Sequence, residues 1–359
     1  MGESNANVLL ESIRPQGARR FSPWIFTGSA LVVMLFVSVA VGPVSIPVPD
    51  LVRMLIDLLP GMQLEADWSR TFATIVYQIR LPNTVLMALT GMALGGSGAA
   101  YQGLFRNPLA DPYIIGVASG AGLGAVLAMA ANWPVSLLGM ATVPIAAFIA
   151  ALITVGIVYA IARVGRSTPV TTLILAGVAV SSFATAMTSL IMLLSADELH
   201  RAVNWMVGGF ALGGWEPVLA SLPYYLIGMT VLALLGRHLN VLQFGDEQAR
   251  QMGLDVERSK LAIVVTASLI AATAVAFSGI IAFVGLIVPH VARLLWGPDY
   301  RRTLPLSILI GGSFLLMADV VARVILAPRE LPVGVITAVV GAPFFLWLLY
   351  RAKGKVRVW

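Results

Sequence analysis

The chain has 359 residues, of which 58% are hydrophobic and 11% charged, and its mean hydropathy is +0.90. Because soluble domains carry roughly a quarter of their residues as charges, this composition excludes a soluble globular fold. The sequence contains no cysteine, which excludes disulfides, thiolate metal sites and cysteine nucleophiles.

Uncharged runs close to or above the roughly 20 residues that a helix needs to cross a bilayer recur along the chain. They predict an all-α, polytopic membrane protein with about ten transmembrane helices; counts of nine or eleven remain open. A single transmembrane domain is expected at 24–350, between terminal tails at 1–23 and 351–359. The predicted spans are about 24–44, 82–103, 113–131, 134–162, 170–194, 217–236, 261–278, 280–296, 304–326 and 331–350.

The basic residues predict the orientation. If both termini are cytoplasmic, 17 of the 23 Lys and Arg residues lie on the cytoplasmic side. The six on the other side are Arg53, Arg70, Arg80, Arg201, Arg323 and Arg329. This bias follows the positive-inside rule, so we expect cytoplasmic N- and C-termini. The net charge of +6 then reflects topology and requires no nucleic-acid partner.

Small residues repeat every four positions in the second and third spans, at Gly91 and Gly95 and at Gly116, Gly120 and Gly124. Such patterns let helix backbones approach closely in lipid. We expect them to pack helices within one chain; an interface between subunits is the alternative.

Between the sixth and seventh spans lies a charged island, residues 237–260, with eight of the chain's 40 formal charges. The orientation places it in the cytoplasm. Asp246 and Glu247 start a predicted short helix that ends before Gly253. Because about two helical turns are unstable alone in water, this helix must dock on its own protein or on a partner.

Three further features of the island follow from residue spacing. Asp246 has the i, i+4 spacing to pair with Arg250. Ala249 and Met252 form a small apolar face, and Asp255 is placed to cap a second helix that runs into the seventh span.

Ionisable residues within the spans are few. Asp319 and Arg323 have the spacing of an ion pair, either structural or lining a translocation route. His290 has no nearby carboxylate or second histidine in its span, so packing is the favoured interpretation and a functional role the alternative. No residues form a metal site or a catalytic cluster, so we expect no enzyme activity.

The energy source is predicted to lie outside the chain. Lysine occurs only at 260, 353 and 355, and none ends a phosphate-binding loop. A gradient-driven secondary transporter usually carries several intramembrane carboxylates or histidines, and this chain has one of each. That class therefore remains a remote alternative to a transporter driven by another polypeptide.

From about Gln78 onward the sequence resembles the permease subunits of type II ABC importers, which take up iron–siderophore complexes, haem and cobalamin. The motifs that carry the resemblance are QIRLP at 78–82, RNPLADP at 106–112, IGVASG at 115–120, LAG at 175–177, WMVGGF at 205–210, AFVGLIVPH at 282–290, DVVAR at 319–323, ELPVGV at 330–335 and GAPF at 341–344.

The resemblance implies a homodimer in a prokaryotic cytoplasmic membrane, with two cytoplasmic ATPase subunits and a soluble extracytoplasmic binding protein. ATP and Mg would bind to the ATPase subunits, and this chain itself would bind no cofactor. It implies import of an iron chelate, ferric siderophore or haem, with cobalamin as the alternative.

The resemblance also assigns site residues. Short helices at about 241–256 would seat in the ATPase. Arg80 and Arg323 would contact the binding protein, where Asn83 replaces a frequently basic residue. The ATPase-coupling positions are Leu242, Gly245, Asp246, Glu247, Ala249, Arg250, Met252 and Gly253. The cytoplasmic gate positions are Asn107, Leu109, Val170 and Thr171, and small polar residues are common at the position of Val170.

Overall fold

The computed structural model describes residues 22–58, 67–133, 136–137, 140–195, 198–209 and 213–356. Within these ranges the chain is almost entirely helical, which confirms the all-α prediction. Of the terminal tails expected at 1–23 and 351–359, residues 1–21 and 357–359 fall outside the described residues.

The described part of the first half of the chain contains seven α-helices, a π-helical turn, a 3₁₀ turn and two short strands. The elements are α1 Pro23–Ala40, α2 Val48–Asp57, α3 Arg70–Thr74, a π-helical turn Ile75–Arg80, α4 Leu81–Phe105, a 3₁₀ turn Pro112–Ile115, α5 Val117–Ala130, β1 Ser136–Leu137, β2 Met140–Ala141, α6 Thr142–Ala162 and α7 Val170–Leu194.

The second half contains short helices and four long ones. The elements are α8 Leu199–Met206, α9 Glu216–Leu234, α10 Gly236–Leu242, α11 Asp246–Gln251, α12 Val256–Ser278, α13 Val284–Trp296, α14 Tyr300–Val324 and α15 Val333–Val356.

Among the described residues, six helices are long and apolar enough to cross a membrane: α1, α6, α7, α9, α12 and α14. Shorter apolar helices occupy α5, α13 and the first part of α15. Each of the ten predicted intervals overlaps one of these nine helices or the buried helix α4. The chain is therefore a polytopic helical membrane protein.

Two predicted boundaries are wrong. The interval 134–162 begins too early, because Ser136 and Leu137 pair antiparallel with Ala141 and Met140 before α6 begins at Thr142. Apolar runs alone do not distinguish a short strand from a helix. The last helix continues to Val356, because Ala and Lys favour helix and basic residues suit its C-terminal end.

The core lies around α4 and α12. Helix α4 packs against α14, α12 and α13, and almost all its residues from Leu86 to Phe105 are buried. Helix α12 is the most buried of the six candidate spans. In each remaining candidate span at most half of the residues are buried, so its outer surface suits lipid or another subunit.

Glycines bring the core helices into backbone contact. A Cβ at Gly91 would lie 2.3 Å from the Gly311 carbonyl oxygen, and one at Gly95 would lie 2.3 Å from the Ser307 carbonyl oxygen. In the third span, Gly120 and Gly124 face α6 in the same way. The interpretation as packing within one chain is confirmed for these positions.

Substituting alanine at Gly98 is expected to destabilise the bundle, because its Cβ would lie 2.0 Å from the Gly285 carbonyl oxygen and 2.4 Å from Gly285 Cα. Relief of this overlap requires backbone movement, so we expect a loss of at least about 1–3 kcal/mol. Thermal unfolding in detergent measures it. Gly28→Ala is the matched control, since its Cβ meets no atom within 4 Å; equal melting temperatures would contradict the contact.

Candidate functional site

The coupling segment, residues 236–255, joins α9 to α12 through the short helices α10 and α11. Gly245 separates these helices with φ +99°, and Gly253 follows α11 with φ +85°. Residues with a Cβ are disfavoured at such angles, so the two glycines set the turns. The Asp255 carboxylate accepts a hydrogen bond from Arg258 N at 3.1 Å, which confirms the predicted cap of α12.

The coupling segment is anchored to the start of α14. Asn240 Nδ2 donates to Asp299 Oδ1 at 2.6 Å, and Tyr300 N donates to Asn240 Oδ1 at 2.9 Å. Hydrogen bonds from Arg301 and then from Asn240 hold the pKa of the Asp299 carboxyl well below its usual range. Asp299 is therefore ionised throughout the physiological pH range and stays a constant acceptor for this anchor.

The predicted coupling residues separate into an inward and an outward set. Leu242 and Ala249 are buried in the core, so they anchor the coupling segment to its own protein, and their role in ATPase coupling stays a prediction. Met252 is 61% exposed, and Glu247 is also exposed. Phe244, which the sequence reasoning missed, is 60% exposed. Its signal is an aromatic residue in a polar run directly before a glycine.

The predicted pair between Asp246 and Arg250 does not form. Asp246 Oδ2 lies 2.5 Å from Lys260 Nζ, and Arg250 Nη2 lies 3.4 Å from Glu257 Oε1. Lys260 is buried, and a buried ammonium without a partner costs more than an exposed pair contributes. The carboxylate of Asp246 therefore faces α12 instead of the exposed side of α11.

The first predicted gate loop follows α4 and touches the coupling segment. The Asn107 side chain accepts a hydrogen bond from Leu109 N at 2.9 Å and shapes the loop. Arg106, directly before it, lies against Gly245, with its Nη2 3.9 Å from Asp246 Oδ1. Gln243 Nε2 also donates to the carbonyl of Gly103, in the last turn of α4, at 2.9 Å.

The second predicted gate position is the start of α7. Val170 is its first residue and half-buried, and Thr171 is exposed. Thr172 Oγ1 donates to the carbonyls of Ala162 at 2.9 Å and Pro169 at 2.8 Å, which fixes the α6–α7 loop. Both gate positions thus lie beside short, internally bonded loops.

One face of α7 carries hydroxyl groups and borders a groove. Ser182, Thr185 and Ser189 recur every three or four residues, so they share a face, and Ser181 lies at its edge, four residues before Thr185. Together with Asp111 and neighbouring residues they line an open groove of about 720 Å³. A hydroxyl-rich surface on an otherwise apolar helix suits a polar passage better than contact with lipid.

Arg80 and Arg323 cap the C-terminus of α1. Arg80 Nη1 donates to the carbonyls of Val39 at 2.9 Å and Ala40 at 3.0 Å. Arg323 donates to the carbonyls of Ser38 at 3.1 Å and Val41 at 3.2 Å. Cations at a helix C-terminus satisfy its free carbonyls and its dipole.

Asp319 and Arg323 pair at 2.8 Å, as their spacing predicts. Arg80 and Arg323 are both buried. Their guanidinium groups bind carbonyls of this chain, which leaves little of either side chain exposed for the docking contact that the resemblance implies. Asn83 Nδ2 lies 3.5 Å from Asp319 Oδ2 and belongs to the same cluster, which borders a cavity of about 370 Å³.

His290 packs against an aromatic ring. Its centroid lies 6.1 Å from that of Phe344 in an edge-on arrangement. Within the described part of the chain its Nε2 has no hydrogen-bond partner. The geometry favours the packing interpretation made from the sequence.

The chain is thus a polytopic helical bundle in which the coupling segment is anchored to α14 and contacts the loop that follows α4. The chain matches the family model described as the FecCD transport family over residues 30–351. It is 42% identical over 333 residues to the uncharacterized ABC transporter permease protein YvrB of Bacillus subtilis, covering 92% of this chain and 94% of the relative. It is 41% identical to the cobalamin import system permease protein BtuC of Halobacterium salinarum, covering 94% and 98%.

A solved inward-facing structure of a metal-chelate type ABC transporter superposes with a TM-score of 0.76 at 30% identity, covering 91% of this chain and 98% of that chain. The chain belongs to the FecCD transport family. It is accordingly the permease of an ABC importer in the cytoplasmic (inner) membrane, and a transport subunit instead of an enzyme.

Proposed function

We propose that this permease imports a bulky metal chelate, with a ferric siderophore or haem as the favoured substrate. The observation that carries the proposal is the hydroxyl-lined groove of about 720 Å³ along α7. Neutral hydroxyl groups can hydrogen-bond the oxygen-rich surface of a preformed chelate without binding it tightly, which suits a passage that must also release its cargo.

The groove is open on one side in a single chain, and a second copy would close it. We therefore place the passage at the two-fold axis of a homodimer with α7 beside it. Each subunit would cross the membrane ten times with cytoplasmic termini, since the basic residues favour that orientation. The exposed apolar residues Phe183 and Leu190 beside the groove on α7 supply surface for the contact.

The coupling segment is proposed to seat one ATPase subunit per permease, and ATP with Mg would bind that ATPase. Phe244 and Met252 are the apolar side chains exposed there, and Glu247 is also exposed. Since Arg80 and Arg323 are buried, docking of a binding protein is assigned to exposed outer arginines, with Arg201 and Arg329 as the candidates.

The relatives support both substrate classes. Relatives 38% identical to this chain are the hemin transport system permease protein HmuU of Yersinia pestis and an iron chelatin permease of Helicobacter pylori. The Halobacterium relative is named for cobalamin and covers more of the chain, which keeps cobalamin as the second candidate.

Uptake by proteoliposomes that contain the permease, its ATPase and its binding protein decides between the candidates. We expect ATP-dependent loading of a ferric siderophore or haem. Vesicles that load cobalamin but neither iron chelate would contradict the favoured substrate and support the alternative. Omission of the binding protein is the control, and it should reduce loading to background.

A further inference from the structure

We propose that Lys260 is the positioning residue that links the coupling segment to the loop before the gate helix α7. The inference rests on the proposed seating of an ATPase at the coupling segment. Lys260 lies in the first turns of α12 and is 4% exposed. Its Nζ lies 2.5 Å from Asp246 Oδ2 and donates to the Thr168 carbonyl at 3.0 Å. One buried ammonium therefore holds a residue of α11 and a residue of the α6–α7 loop.

The Thr168 peptide is held from both sides. Thr168 N donates to Glu257 Oε2 at 3.0 Å, while its carbonyl accepts from Lys260. Glu257 and Lys260 stand one turn apart on α12 and present one acceptor and one donor to the same residue. Thr168 is itself buried. Its position is therefore set by the first turn of α12 and not by the loop alone.

Thr168 lies directly before the gate helix. Pro169 is the N-cap of α7, and Val170 and Thr171 follow as the predicted gate positions. The proline ring fixes one backbone angle, so little freedom separates the held peptide from the gate. A shift of Asp246 would move its ion pair with Lys260, and the Thr168 carbonyl would follow because it shares that ammonium.

Lys260 is not the only cation beside these acids, but its ammonium is the buried one. Arg106 and Arg250 are the other cations in contact with the same acids, Asp246 and Glu257, at 3.9 Å and 3.4 Å. Both arginines are substantially exposed, whereas the ammonium of Lys260 is desolvated. Exposed pairs contribute little and a buried pair is costly to break. Lys260 is therefore the member of the cluster whose loss uncouples the two elements.

The test compares Lys260→Met with Arg258→Met in proteoliposomes with ATPase and binding protein. Arg258 is the matched control, because it lies on the same helix with an 89% exposed side chain that pairs with Asp255. We expect Lys260→Met to lower substrate imported per ATP hydrolysed at least tenfold, and Arg258→Met to leave that ratio unchanged. A wild-type ratio in Lys260→Met would overturn the proposal.

A distance measurement separates coupling from a merely structural role. Because the natural sequence has no cysteine, single cysteines at Arg166 and Gln251 can be spin-labelled directly. In the protein with Lys260 present, the distance between the two labels should stay constant when ATP binds to the ATPase. In Lys260→Met, the same distance should change when ATP binds. An unchanged separation in both would contradict the link.

Asp246→Asn keeps the proposal testable should Lys260→Met fail to assemble. It preserves side-chain size and removes the ion pair, so the imported-per-hydrolysed ratio should fall; a wild-type ratio would contradict the link. If the unsubstituted permease shows no ATP-driven import at all, the proposed function fails instead, and this outcome is distinct from any difference between variants.

Discussion

Replacing residues 245–252 with a Gly-Ser linker is expected to abolish substrate-stimulated ATP hydrolysis and ATP-driven uptake while the bundle stays inserted. This stretch contains the whole of α11, whose exposed side is the proposed seat of the ATPase. A flexible linker cannot transmit a displacement. The measurement is ATP hydrolysis in proteoliposomes with and without substrate. If substrate stimulated hydrolysis in the linker variant as strongly as in wild type, the proposed role of the coupling segment would be wrong.

A more specific test than the linker replacement changes only the exposed apolar side chains of the coupling segment. The double substitution Phe244→Ser with Met252→Ser leaves Ala249 and the Asp246–Lys260 pair in place. Central apolar anchors of an interface often contribute about 2 kcal/mol or more each, so ATPase affinity should fall by roughly a hundredfold or more. Leu295→Ser, which alters a side chain 51% exposed, is the control for lost apolar surface. Equal ATPase binding by the double variant and wild type would contradict the assignment.

Arg323→Met is expected to destabilise the protein by about 3–5 kcal/mol, the usual cost of breaking a buried ion pair from one side. The substitution leaves Asp319 buried without its cation and removes donors from the carbonyls of Ser38 and Val41. Thermal unfolding in detergent measures the loss. The double variant Asp319→Leu with Arg323→Met should recover part of it, because no unpaired charge then remains.

Arg329→Met is the control for this prediction, since Arg329 is exposed on the same side of the protein. It should leave the melting temperature unchanged. If Arg323→Met also melted like wild type but bound the binding protein weakly, the exposed docking role implied by the family resemblance would be correct, and the structural role assigned to Arg323 would be wrong.

The sequence predicts most helices because a span must be long and apolar, and that requirement is visible without a structure. It also predicts the Asp255 cap and the Asp319–Arg323 pair, because both depend on residues three or four positions apart. Local spacing therefore carries these features. The short helix α11 is visible for the same reason, from its acidic start and the glycines at its ends.

Long-range partners could not be predicted. Asp246 faces Lys260, fourteen positions away, because the fold brings a buried ammonium to α11. Arg80 caps α1 through the carbonyl of Val39, which lies 41 positions away in the sequence. The outward position of Phe244 depends on the φ of Gly245 and on the burial of Leu242. These features arise from packing between segments, which composition and periodicity do not encode.

The central claim is that ATP hydrolysis on a partner subunit, and not an ion gradient, drives import. Uptake of a ferric chelate by reconstituted vesicles, supplied with ATP or with an imposed proton gradient, tests it most directly. We expect uptake to require ATP and the partner ATPase, to persist when an uncoupler removes the gradient, and to be lost in the Phe244→Ser, Met252→Ser variant. Uptake that continues without ATP and collapses with the uncoupler would contradict it.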